Sequence, residues 1–127
     1  MNKDEALVEL CKSMLQDSEV TEQDGWVKIV LVGEVGDGHA GMRGYSYNSE
    51  SKCLLVAPDA HRLEKLKQLH AVMKAENPSG RGWLKCMIRI SSTGDVGADF
   101  EYNDPERWSH TPENYKERIA EYAAMPV

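Results

Sequence analysis

The sequence predicts an α+β domain, an antiparallel sheet of about five strands with an N-terminal, a middle and a C-terminal helix packed on it. Three observations carry this. Residues 83–102 alternate in type on both sides of a small-residue turn, as the two strands of a hairpin do. Residues 3–15 and 61–76 repeat apolar side chains every three or four positions, the period of a helix with one buried face. Residues 26–35, WVKIVLVGEV, are too apolar and β-branched for a strand open to water on one side, which places them in the middle of the sheet. With 127 residues the chain fits a single domain, 1–127, able to bury a core without metal or disulfide staples.

In chain order, Lys3 to Leu15 carries Ala6, Leu7, Leu10, Cys11, Met14 and Leu15 on one helical face. Its acids Asp4, Glu5 and Glu9 come early, where the helix dipole favours them. Asp17 to Gly25 is polar, ends in glycine and reads as a loop. After the central strand comes a glycine-rich stretch, Gly33 to Gly44, containing GDGHAG at Gly36–Gly41. This formally matches the GxGxxG of dinucleotide-binding turns. Phosphate binding, however, needs such a turn to open a helix. Here Met42 to Tyr47 alternates like another strand and Asp37 would repel phosphate, so a hairpin loop is expected. Tyr45 and Tyr47, a polar turn at 48–52 and Cys53–Ala57 continue the strands. Asp59 stands where it can cap the middle helix, whose stripe is Leu63, Leu66, Leu69, His70 and Met73. Asn77-Pro78-Ser79-Gly80 ends that helix.

In the following hairpin, Leu84, Cys86, Ile88 and Ile90 share one face, and Trp83, Lys85, Met87 and Arg89 the other, outward one. On the returning strand Val96, Ala98, Phe100 and Tyr102 alternate with Gly97, Asp99 and Glu101. Lys85 and Arg89 are thus set against Asp99 and Glu101, a cross-strand pairing that fixes register. Thr111-Pro112 has the form of an N-cap followed by proline at the first helical position, so the C-terminal helix is expected to begin there.

The net charge of −6 is uneven. Residues 1–25 hold seven acids and two bases, 26–94 six and ten, and 95–127 eight and three. An acidic chain lacks the basic surface that displaces counterions from phosphate backbones, which argues against nucleic-acid binding. It suits a basic protein partner, although acidity alone also serves solubility. The longest apolar run is interrupted by Lys28, far short of a membrane span, and the first residues are acidic where a secretory signal is apolar; a cytoplasmic protein is expected. Cys11, Cys53 and Cys86 are odd in number and lie in apolar segments, as buried free thiols do.

No pair among His39, His61, His70 and His110 has metal-ligand spacing, so neither a metal nor a cofactor is expected. Cys86 with His110, or Ser109 with His110, would be the only nucleophile–base combinations; the strand pattern turns Cys86 inward and sequence neighbours do not form a triad. The densest chemistry is acidic: Asp95, Asp99, Glu101, Asp104 and Glu106 fall within twelve residues, followed by Trp108. Three readings stand. Asp99 and Glu101 could be catalytic carboxylates on one sheet face, or surface ion-pair partners of Lys85 and Arg89. The whole cluster could instead face a basic partner, with Trp108 as its aromatic anchor or as a core residue under the last helix.

The string Gly94-Asp95-x-x-x-Asp99-Phe100-x-Tyr102-x-Asp104, followed by a proline-containing acidic connection and a short helix with Tyr122, resembles the end of the YezG-like immunity proteins of bacterial polymorphic toxin and contact-dependent inhibition systems. The element order, with Trp26 in an early strand and Trp83 before a later one, is similar as well. In that family a tryptophan usually lies inside the last helix; here Trp108 precedes it. The resemblance implies a non-enzymatic inhibitor that binds and occludes a cognate toxin domain, often a nuclease. Its carboxylates from Asp95 to Glu106 would stand in for substrate phosphates. The alternatives are a small-ligand or adaptor domain using the Gly33–Gly44 stretch and, last, an enzyme using the acidic strand.

Overall fold

The computed structural model describes every residue from Met1 to Val127. Its elements are α1 (Lys3–Leu15), α2 (Ser18–Thr21), β1 (Trp26–Gly36), β2 (His39–Asn48), β3 (Cys53–Val56), α3 (Leu63–Glu76, entered through a 3-10 turn at Ala60–Arg62), β4 (Lys85–Ser91), β5 (Val96–Glu101) and α4 (Tyr115–Ala124). The five strands form one antiparallel sheet in the order β3-β2-β1-β4-β5. The α+β class, the three principal helices and the central place of β1 are as the sequence predicts. No helix is long and apolar enough to cross a membrane.

α1 starts with a reciprocal cap: Asn2 Oδ1 accepts from the Glu5 amide at 2.9 Å while Glu5 Oε1 accepts from the Asn2 amide at 3.4 Å. Ala6, Leu10, Cys11 and Met14 of α1, with Leu66 and Leu69 of α3, then bury one face of the sheet at Ile29, Leu31, Cys86, Ile88 and Ile90. The expected loop after α1 contains instead the single helical turn α2. Asp17 organises it, being buried yet accepting from the amides of Glu19 at 2.9 Å and Asp59 at 2.7 Å and pairing with Arg62 at 3.3 Å. Its partners satisfy the carboxylate, and Val20 inserts into the core.

The glycine-rich stretch is not a long loop. β1 and β2 run in register to Gly36 and His39, leaving a two-residue turn in which Gly38 has φ +76°. The glycines inside the strands answer to packing. A methyl group on Gly33 would meet Met42 Cε at 2.9 Å and Leu66 Cδ1 at 3.0 Å, so glycine lets α3 approach the sheet.

The opposite face of the sheet is also a core, which the alternation pattern did not reveal. Val30, Val32, Tyr45, Tyr47 and Met87 are covered by Trp108 and Tyr122, with Ile119, Ala123 and Met125 packed around them. The side of β4 expected to face outward therefore meets α4. Trp83 is corrected with it: β4 begins two residues later, and the indole is fully buried in the α1–α3 core, edge-on to His70 at 4.8 Å and 5.7 Å from Phe100. α4 begins at Tyr115, not Pro112. Thr111 and Asn114 exchange hydrogen bonds, each side chain accepting from the other's amide at 3.2 and 2.8 Å, and this turn delays the helix by three residues.

Candidate functional site

β5 is an outer strand, paired only with β4, and the acidic segment runs along it and past its end. The structure gives its members different occupations. Asp95 closes the β4–β5 turn, its amide donating to Ser91 Oγ at 3.0 Å and its carboxylate accepting from Thr93 at 3.3 Å. Asp99 accepts from Arg89 Nη1 at 2.7 Å, so the cross-strand ion pair expected for that pair is formed. Lys85 and Glu101 are in register but do not pair. Glu101 instead accepts from the amides of Asn103 and Asp104 at 2.9 and 3.1 Å and from Arg107 at 2.9 Å. Asp104 accepts from the Glu106 amide at 2.9 Å, folding the next turn. Glu106 is exposed, and its carboxylate has no partner.

Trp108 takes the core alternative. It is 5% exposed, lies against Val32 and Met87, and carries Arg107 over its ring at 4.4 Å. Its φ of +61° is unusual for a bulky residue and costs on the order of 1–3 kcal/mol, which burial of the indole offsets. The partner-anchor reading of Trp108 is therefore corrected, because nothing can dock on a side chain already enclosed. Asp99 and Glu101 do share a face at i, i+2, but both are engaged by arginines, and no group of three His, Cys, Asp or Glu side chains is arranged to hold a metal ion.

Glu101 has a measurable consequence. The two amides and Arg107 hold its carboxyl down to about 2, from an ordinary value of 4.5. A group depressed in the folded state stabilises it above the unfolded value and loses that contribution as pH falls. The 101–107 turn is thus expected to loosen between about pH 4.5 and about pH 2. A carboxyl-resolved NMR titration should place the Glu101 midpoint near 2, and Arg107→Gln should raise it; an unshifted midpoint would mean that the turn is not formed in solution.

The nucleophile–base pairs considered from the sequence are not assembled. Cys86 belongs to the α1–α3 core, where burial pushes its thiol up to about 12, whereas His110 lies on the other side of the sheet. His110 Nδ1 shares a 2.7 Å hydrogen bond with Tyr45 Oη, and Tyr45 packs edge-on against Tyr122 at 4.9 Å. Burial, with Arg43 nearby, lowers the His110 pKa. The three cysteines are free, Cys53 being half-buried and the others buried.

Sequence reasoning also missed Lys28. Its ammonium donates to the carbonyls of Tyr122 at 2.6 Å, Ala123 at 2.9 Å and Met125 at 2.7 Å, closing the C-terminus of α4. The signal was present as the single cation inside the apolar run of β1.

Compared with known proteins, the chain matches no protein-family model and no curated protein.

Proposed function

We propose that this protein is an immunity protein that acts in the cytoplasm, binding a basic cognate toxin domain, a nuclease, and occluding its substrate surface without chemistry of its own. The observation that carries the reading is the free edge of β5 continued by Asp104 and Glu106. An outer strand offers unpaired backbone groups to an incoming chain, and acidic side chains along it steer a basic one into register. The string that resembles the YezG-like family lies on this same strand. Several of its residues have folding roles: Gly94 turns with φ +97°, Phe100 and Tyr102 pack on the core, and Asp99 is paired. The partner-facing set is therefore narrower than the whole acidic cluster, with Asp104 and Glu106 at its centre and Asp95, Asp99 and Glu101 supporting it.

The experiment is recovery of a tagged chain from its native cells with graded salt washes, followed by binding kinetics on the protein recovered. A single stoichiometric basic partner, toxic when expressed alone, is expected. The double variant Asp104→Lys, Glu106→Lys should slow association about tenfold and flatten its salt dependence, with a stability loss of only about 0.5–1.5 kcal/mol from the Asp104 turn bond. Unchanged association would remove this surface, and folded bait that recovers no partner would remove the immunity reading itself.

A further inference from the structure

A charged cleft lies on the sheet face that α4 covers, at its open end. Two rows of side chains cross the strands there in register. One is Gly41, Glu34, Lys85 and Glu101; the next is Arg43, Val32, Met87 and Asp99. Gly41 leaves a gap in the first row, and a cavity of about 70 Å³ opens at it, bounded by Glu34, Arg43 and Lys85. A second hollow of about 170 Å³ continues past Glu34 and Lys85 to Pro105.

Lys85 is the unusual member. It is 8% exposed, yet it enters no ion pair or hydrogen bond with the protein. The carboxylates beside it in register are turned elsewhere: Glu34 leans over Gly41, and Glu101 is held by Arg107 and two amides. Its ammonium is not sealed in like the partnerless nitrogens of Trp83 and Arg89, so it opens onto the cleft. Its stem is buried while its ammonium meets the cleft with no counter-charge from the protein, so it is free to pair with an anion there. The space sets the ligand's size. A water needs roughly 10–15 Å³ of such volume, so the inner cavity takes a group of a few heavy atoms; it is well below the roughly 300 Å³ of a pocket for a drug-sized molecule.

We propose that this cleft binds a protonated oxyanion, the phosphoryl group of hydrogen phosphate or of a phosphomonoester. Lys85 donates to its charged oxygens, Arg43, shared with Tyr45 and His110, adds positive charge at the rim, and Glu34 accepts the hydrogen bond of its P–OH. The carboxylate decides between oxyanions: a phosphomonoester, with a second pKa of about 6, and inorganic phosphate, whose second pKa is higher still, keep a proton to offer it near that pH, whereas sulfate has none and is repelled. The outer hollow accommodates what an ester oxygen carries. The site uses side chains that the partner-binding edge does not, so it stands or falls apart from the immunity reading.

The test is a set of amide ¹H–¹⁵N NMR titrations of the full chain at about pH 6 and constant ionic strength, with inorganic phosphate, glycerol phosphate and sulfate. Saturable shifts confined to residues 33–43 and 85 are expected with phosphate, with at least tenfold weaker response to sulfate. Glu34→Gln should bring the two anions level, and Lys85→Met should abolish saturation. Arg43→Gln, expected to weaken phosphate about tenfold, takes the place of Lys85→Met if that variant fails to fold. Glycerol phosphate matching phosphate assigns the outer hollow to an ester; response to phosphate alone assigns the free ion. Shifts that stay linear with concentration, persist in both the Lys85 and Arg43 variants, or are equal for sulfate in the unaltered chain would overturn the proposal.

Discussion

Trp83→Ala is expected to destabilise the domain by about 3–5 kcal/mol, the usual cost of emptying a fully buried aromatic site. The indole is completely enclosed, wedged between His70 of α3 and Phe100 of β5, and so joins the middle helix to the edge of the sheet. Nothing nearby can fill the space cheaply, because His70 is held against Gly82, where even a methyl group would come within 2.5 Å of Nε2. For a domain of 127 residues each kcal/mol lowers Tm by roughly 3–6 °C, so a fall of about 10–30 °C is expected in a thermal melt. Trp83→Phe keeps an aromatic ring and drops an indole N–H that has no acceptor, so it should cost much less. If both variants lost equal stability, shape complementarity around the six-membered ring would be the wrong explanation.

Trp83 also marks where sequence pattern stops predicting position. Alternation counted back from Ile90 places it on the outward face with Lys85 and Met87. Alternation holds only while the strand does, and β4 begins at Lys85. The same limit applies to faces. A strand that is polar every second residue reads as half-exposed, yet Met87 and Tyr45 are fully buried, because the cover for that face comes from a helix more than 25 residues further along and cannot be seen locally. Central β1, by contrast, was readable: it is apolar at every position but Lys28 from Val27 to Val32, and only a strand buried on both sides tolerates that. The candidate site was legible as composition and not as arrangement. Five carboxylates in twelve residues are visible in the sequence; that Asp99 and Glu101 are occupied by Arg89 and Arg107 depends on register and on a turn beyond β5. Trp108 could be read either way until its backbone entered the left-handed region and turned the ring inward.

The second large effect concerns how α4 is held. Tyr122→Ala should cost about 3–5 kcal/mol, since its fully buried ring is the principal contact of α4 with Tyr45 and the sheet. Its hydroxyl, however, is buried with no hydrogen-bond partner, a condition worth about 1–3 kcal/mol against the folded state. Tyr122→Phe is therefore expected to be neutral or stabilising, opposite in sign to the alanine variant at the same position. Lys28→Met isolates the polar half of the attachment. It leaves two carbonyls in the last turn of α4, those of Tyr122 and Ala123, and that of the cap residue Met125 without their shared donor and should cost about 1.5–3 kcal/mol. Tyr47→Phe removes one bond of 2.7 Å to the Ile119 carbonyl and should cost only about 0.5–1.5 kcal/mol. Hydrogen exchange separates local from global effects: Lys28→Met should expose the amides of 115–125 while α1 and β1 stay protected, because α1 lies in the opposite core and β1 keeps its ladders to β2 and β4. Loss of protection throughout the chain would mean that the two cores unfold as one unit. The sheet would then be held by α4 as much as by α1 and α3, and the edge of β5 proposed to meet a partner would depend on Lys28 although the two never touch.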